Sequence, residues 1–308
     1  MPARSFNEKN SSMQSSRTSG PATEPSDRRS AAIRHAGEKK STLKSVAVFY
    51  GIACGFSWLV WAPVVLGPDG LKVIKLALPP PVFACIATLG PLLACFITFR
   101  IETGHWRAVR LLPPTRSQLL WLLFGPLVVL ICFFFVFPLL ISKGSPGTWH
   151  WHFGVLAGIV VPMFNYNLLG GPLFEEFGWR GFLQTRLQTA LPPWLAAICV
   201  GILWAAWHLP LFLVSWSSAP PLVFAFIMIG LSLWMACAFN ASGGALLVAI
   251  LMHSAFNASS RFIPPFLGNT PTRTYASPEL FIGCSFLLVG VIALVLTRGR
   301  LFAGSASS

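Results

Sequence analysis

Three short stretches place groups capable of acid–base chemistry inside otherwise apolar sequence. They read Phe174-Glu175-Glu176-Phe177-Gly178-Trp179-Arg180-Gly181, Trp204-Ala205-Ala206-Trp207-His208-Leu209-Pro210 and His253-Ser254-Ala255-Phe256-Asn257. Ionisable groups are costly to hold at membrane depth, so they point to function, with partners to be sought among one another. On a helix, positions four apart share a face, whereas adjacent positions diverge. Glu176 is therefore expected to pair with Arg180, while Glu175 faces Trp179 with no local counter-charge. Desolvation disfavours the ionised form of an unpaired carboxylate, which suits it to proton transfer near neutral pH. The two glutamates then have different tasks: Glu175 as general base, Glu176 as structural partner of Arg180. His253 and Asn257, also four apart, can donate together to a developing oxyanion. His208, on a separate segment, can engage the same water as Glu175.

The same residues admit a metal. Glu175, His208 and His253 make a zinc-type ligand set with water in the fourth position. Against this, no HExxH-type spacing fixes metal geometry within one helix. A divalent metal such as zinc stays open on residues alone. Structural readings have weight too, since a lone histidine in an apolar helix is often a packing residue and a Glu–Arg pair often a clamp. Three such stretches in one chain are harder to dismiss. His150 and His152 flank Trp151 at an expected membrane boundary and read as interfacial anchors. His35 and His105 lie among basic residues and carry no signal.

The elements that must hold these groups are set by composition. Of 308 residues, 55% are hydrophobic and only 10% charged. Soluble domains carry about 25% charged residues, so the solvent for most of this chain is lipid. Backbone in hydrocarbon must satisfy its own hydrogen bonds, and apolar runs this long select helices over a barrel. The expected fold is all-α, a polytopic bundle of about eight spans at 45–67, 79–99, 118–142, 153–174, 194–216, 222–240, 243–258 and 279–297. Pro79-Pro80-Pro81, Pro113-Pro114, Pro192-Pro193 and Pro220-Pro221 punctuate their boundaries. Seven cysteines fall within these spans without CxxC spacing, and read as small apolar packing residues rather than a disulfide framework.

Four regions follow. Residues 1–44, rich in Ser, Arg, Lys, Pro and Gly without apolar periodicity, read as a disordered basic cytoplasmic tail. Residues 45–152 hold N-terminal transmembrane helices, 153–260 the catalytic transmembrane core, and 261–308 the last span and a short tail. The net charge of +13 does not imply nucleic acid, because the basic residues mark one side of the membrane. With eight crossings, the tail, the loop of Arg100, Arg107, Arg110 and Arg116, the stretch with Arg180 and Arg186, and Arg298/Arg300 share a side. Lys72, Lys75, Lys143, Arg261 and Arg273 lie opposite. The excess places both termini in the cytoplasm.

The ordered set Glu-Glu-x-x-x-Arg, aromatic-x-x-x-His and His-x-x-x-Asn on successive spans resembles the CAAX protease and bacteriocin-processing (CPBP) family. That family includes Rce1-type intramembrane endopeptidases and abortive-infection (Abi) membrane proteins. The motifs here are Glu175/Glu176/Arg180, Trp204/His208 and His253/Asn257, and the resemblance covers about 155–260. Trp204 departs from the more usual Phe, a swap expected to affect packing more than chemistry. The resemblance implies a helix bundle enclosing an intramembrane site that hydrolyses peptide bonds. Glu175 and His208 would activate water there, while His253 and Asn257 stabilise the oxyanion. Substrate does not follow from the resemblance. Apolar walls favour a membrane-associated peptide or protein with a lipidated or hydrophobic C-terminal segment, compactness suggests a bacterial plasma membrane, and no nucleic-acid partner is expected. Two other classes compete. A non-enzymatic immunity or sequestering protein would keep its phenotype after Glu175→Gln. A small-solute transporter would use Glu175 for ion coupling, but no inverted repeat supports it.

Overall fold

The computed structural model of the chain describes residues 25–75, 80–105, 109–113, 115–133, 171–214, 219–260 and 278–304. Every regular element among the described residues is helical. The chain divides into Met1–Glu38 and Lys39–Ser308. Of the first unit, residues 25–38 are described, and they are helical. They open helix α1 (Pro25–Leu66), so the tail expected over 1–44 is helical from Pro25 onward. Proline at a first helical position is preorganised, and the Ala, Arg, Glu and Lys that follow are good helix formers. Apolar periodicity marks where lipid-compatible sequence begins, not where the helix does.

In Lys39–Ser308 the order continues through α2 (Pro80–Ala87), α3 (Leu89–Thr103) and a 3-10 turn (Ser117–Leu120) leading into α4 (Trp121–Ile131). After the expected 153–174 span, which lies outside the described residues except for 171–174, comes α5 (Pro172–Glu176). It runs into a π-helical stretch (Phe177–Gln184) and the short α6 (Thr185–Leu187). Then follow α7 (Pro193–Trp207), a 3-10 segment (Leu209–Val214), α8 (Pro221–Ala241), α9 (Leu246–Ser260) and α10 (Pro278–Leu296).

Three helical segments are long and apolar enough to cross a membrane: Lys40–Leu66, Val82–Thr103 and Pro221–Ala241. Shorter apolar helices occupy Ser117–Ile131, Pro193–Trp207, Leu246–Ser259 and Ile282–Leu296. Leu59, Leu123, Leu222 and Leu296 stand 74–78% exposed, an outward apolar surface that lipid accommodates and water does not. The expected 194–216 span is not one helix. It ends at Trp207, because Pro210 offers no N–H and clashes with a preceding helical turn, so Leu209–Val214 tightens into a 3-10 segment. The 79–99 span carries a one-residue turn at Thr88 but belongs to the Val82–Thr103 segment that is long enough to cross. The 118–142 span is described only as far as residue 133.

Helix α8 is the hub. Of its apolar window 72% is buried, against 39% and 44% for the other two long segments, and it packs chiefly on α7 and α10. Helices approach closely in an apolar solvent where small residues let backbones meet. A Cβ at Gly201 would lie 2.7 Å from the Ile229 Cα, and one at Gly230 would lie 2.6 Å from the Leu287 nitrogen. These two contacts lock α7 and α10 onto α8. All seven cysteines are free thiols, as their spacing predicts.

Candidate functional site

Glu175 and Glu176 lie at the end of α5, one turn after Pro172, whose fixed φ suits a first helical position. The π-helical stretch behind them carries Trp179, Arg180 and Gln184. Wide turns of this kind are rare and concentrate at functional sites. Thr185 stabilises this one locally, its hydroxyl donating to the Gly181 and Phe182 carbonyls at 2.9 and 2.8 Å.

The two adjacent carboxylates have unlike surroundings. Arg180 Nη1 donates to both oxygens of Glu176, at 3.0 and 2.9 Å. His253 Nδ1 lies 2.8 Å from Glu176 Oε1. A carboxylate can only accept, so this imidazole nitrogen carries the proton. Arg180 Nη2 donates to Ser232 Oγ at 3.1 Å, and its Cζ lies 4.6 Å above the Trp204 ring. Glu176 and Arg180 have no solvent exposure at all. Their pairing matches the four-residue spacing, and through it α5, the π-helical stretch, α8 and α9 are tied together.

Glu175 has no ion-pair partner among the described residues. Its Oε2 accepts two indole N–H groups instead, from Trp204 at 2.9 Å and Trp179 at 3.3 Å. It keeps 5% exposure where Glu176 keeps none. The Trp204 contact corrects one expectation. The indole in place of phenyl was read as a packing change, yet its N–H is a donor that phenylalanine lacks, and it falls on Glu175.

His208 closes α7. Its Nδ1 lies 2.8 Å from the Trp204 carbonyl and must donate to it, which places the lone pair of a neutral ring on Nε2. The ring is wedged between Trp207 and Phe224, with centroids at 4.7 and 5.2 Å. His253 rests edge-on to Trp204 at 4.8 Å. Trp204 thus touches Glu175, Arg180, His208 and His253. Asn257 lies one turn beyond His253 on α9 and is half-buried. Spacing paired His253 with Asn257; the structure adds that His253 Nδ1 is committed to Glu176. His253 can therefore donate to an oxyanion only from Nε2, and only when that nitrogen is also protonated.

The candidate metal ligands have suitable donor chemistry, because ligating histidines characteristically donate their other nitrogen to a carboxylate or a carbonyl. Among the described residues, no three His, Cys, Asp or Glu side chains are gathered so as to hold a metal ion. His150, Trp151 and His152 lie outside the described residues.

Sequence reasoning missed Ser232, buried in α8 and bonded to Arg180, because a single serine in an apolar helix is an ordinary packing residue there. It also missed the continuation of the polar face. Gln184 Nε2 donates to Asn240 Oδ1 at 3.3 Å, and Asn240 Nδ2 donates to the Leu301 carbonyl at 3.0 Å. Glu176, Arg180 and Gln184, each four apart, were visible as a series only with the helix in view.

Comparison with known proteins bears on this arrangement. Residues 157–259 match the family described as Type II CAAX prenyl endopeptidase Rce1-like. A curated relative, CAAX prenyl protease 2 of Methanococcus maripaludis, is 42% identical over 50 residues, which is 16% of this chain and 18% of that protein. The matched stretch therefore spans less than a fifth of that relative's length.

Proposed function

Because residues 157–259 form a domain of the Rce1-like type II CAAX prenyl endopeptidase family, we propose that this chain is an intramembrane endopeptidase. It hydrolyses a peptide bond in a membrane-associated substrate. The observation that carries this reading is the contrast between Glu175 and Glu176. One carboxylate is paired with a buried arginine and a histidine, while its neighbour has no ion pair among the described residues, accepts two indole N–H groups and keeps slight exposure. Pairs of titratable groups in unlike settings are how acid and base roles are divided.

In this mechanism Glu175 takes a proton from water as that water attacks the scissile carbonyl carbon. His208, with its acceptor nitrogen at Nε2, orients the same water. The tetrahedral oxyanion is stabilised by the Asn257 amide and, when protonated on Nε2, by His253. Glu175 then returns its proton to the leaving amine. Glu176 and Arg180 hold His253 and contact no reacting atom. No step is routed through a metal.

The proposed setting is an integral membrane protein of about eight spans with cytoplasmic termini, the shorter apolar helices crossing beside the three long ones. Apolar walls favour a hydrophobic or lipidated C-terminal segment, which can enter from the bilayer. The test compares peptide C-termini by mass spectrometry in cells carrying the wild-type or Glu175→Gln protein at matched membrane levels. Ends present only with wild type support the endopeptidase and name its substrate. Identical ends, with the host phenotype intact in both, support a sequestering immunity protein instead.

A further inference from the structure

Both hydrogen bonds to Glu175 fall on a single oxygen. Trp204 Nε1 and Trp179 Nε1 reach Oε2, at 2.9 and 3.3 Å, from two different helical elements. Among the described residues, Oε1 accepts no hydrogen bond. Space beside Oε1 is kept by Gly171, where a Cβ would come within 3.3 Å of that oxygen. Each indole is itself fixed. Trp179 is fully buried and edge-on to Trp207 at 5.7 Å, and Trp204 is pinned by Arg180 over its face and His253 at its edge.

We propose that Trp204 and Trp179 form an indole clamp that positions Glu175, binding Oε2 and presenting Oε1 as the base. The inference rests on the endopeptidase reading for what Oε1 does, but not for the clamp itself. A neutral donor fixes a carboxylate without supplying a counter-charge, so it orients the base while leaving it able to take a proton. An arginine in the same place would orient it and suppress its basicity. Neither tryptophan need touch substrate; both act through Glu175.

The clamp is tested by Trp204→Phe, which keeps an aromatic ring for Arg180 and His253 and removes the N–H together with part of the ring volume. Indole donors favour the ionised carboxylate. Their loss should therefore move the acidic limb of the rate–pH profile toward higher pH. At neutral pH kcat should fall roughly tenfold, the scale of one hydrogen bond to a charged group, with KM unchanged and the deficit narrowing as pH rises. A loss equal at all pH values, with the limb unmoved, would overturn the proposal.

A second readout needs no activity. Infrared titration of the protein in nanodiscs detects the carboxyl C=O band, identified as Glu175 by its absence in Glu175→Gln. Trp204→Phe should shift the midpoint of that band upward, and an unshifted midpoint would sink the clamp. Trp179→Phe tests the same donor role from the other side, should Trp204→Phe fail to fold. Failure of the endopeptidase reading looks different: wild type and Glu175→Gln leave identical peptide ends, whatever the infrared band does.

Discussion

At the scale of single residues, the two glutamates should separate activity from stability. Glu175→Gln retains an oxygen for the indoles and removes the base, so hydrolysis should fall by about two to four orders of magnitude with the melting temperature nearly unchanged. Glu176→Gln leaves Arg180 buried without its counter-ion, a change that costs about 3–5 kcal/mol in comparable buried pairs. Its melting temperature in detergent should drop well below that of Glu175→Gln, a contrast that differential scanning fluorimetry reads directly. A chelator such as 1,10-phenanthroline should leave cleavage intact, because the proposed steps run through Glu175, His208, His253 and Asn257 without a metal. Loss of cleavage that zinc restores would reverse that conclusion. The pairing of Glu176 with Arg180 was legible from a spacing of four. The role of Ser232 was not, because tertiary contact between α8 and the π-helical stretch decides it. The His253–Glu176 bond, across 77 positions of sequence, was hidden for the same reason.

At the scale of elements, the helical class and most boundaries could be read from apolar runs and prolines. Helix α8 and helix α10 fall close to where those runs end. The misread 194–216 span has a plain cause, since a window of apolar residues cannot tell a continuous helix from one broken by Pro210. The π-helical stretch has no signature in hydropathy either, although Gly178 and Gly181 within it hint at unusual packing. Gly178 makes the close approach to α3, where an added Cβ would stand 2.6–2.9 Å from Pro91 atoms including its carbonyl. Because backbone cannot yield as a flexible side chain does, Gly178→Ala should destabilise the fold by about 1–3 kcal/mol. Glu175, at the end of α5, and Arg180, in the π-helical stretch, flank it and should be displaced with it. Thermal unfolding and the Glu175 infrared band together would register both effects, and a variant with wild-type melting would contradict the packing described.

At the scale of the whole molecule, the apolar exterior requires a bilayer. Leu59, Leu123, Leu222 and Leu296 project outward from four different helices. The protein should remain in the membrane fraction after alkaline carbonate washing and leave it only with detergent, and recovery in the carbonate supernatant would refute the assignment. Charge pattern and hydropathy made this much plain before any coordinates, whereas the centrality of α8 did not follow from them: it is the most apolar of the three long segments, but hydropathy does not say which helix the others pack on. That centrality bears on how the protein is made. The buried polar face runs from Glu176 through Arg180 to Ser232 on α8, and from Gln184 through Asn240 to the carbonyl of Leu301. Only the last of these contacts needs Leu301. Every described hydrogen-bond partner of the two glutamates lies between Trp179 and His253, so a nascent chain stalled before α10 already carries all of them, and lacks only the carbonyl that anchors Asn240.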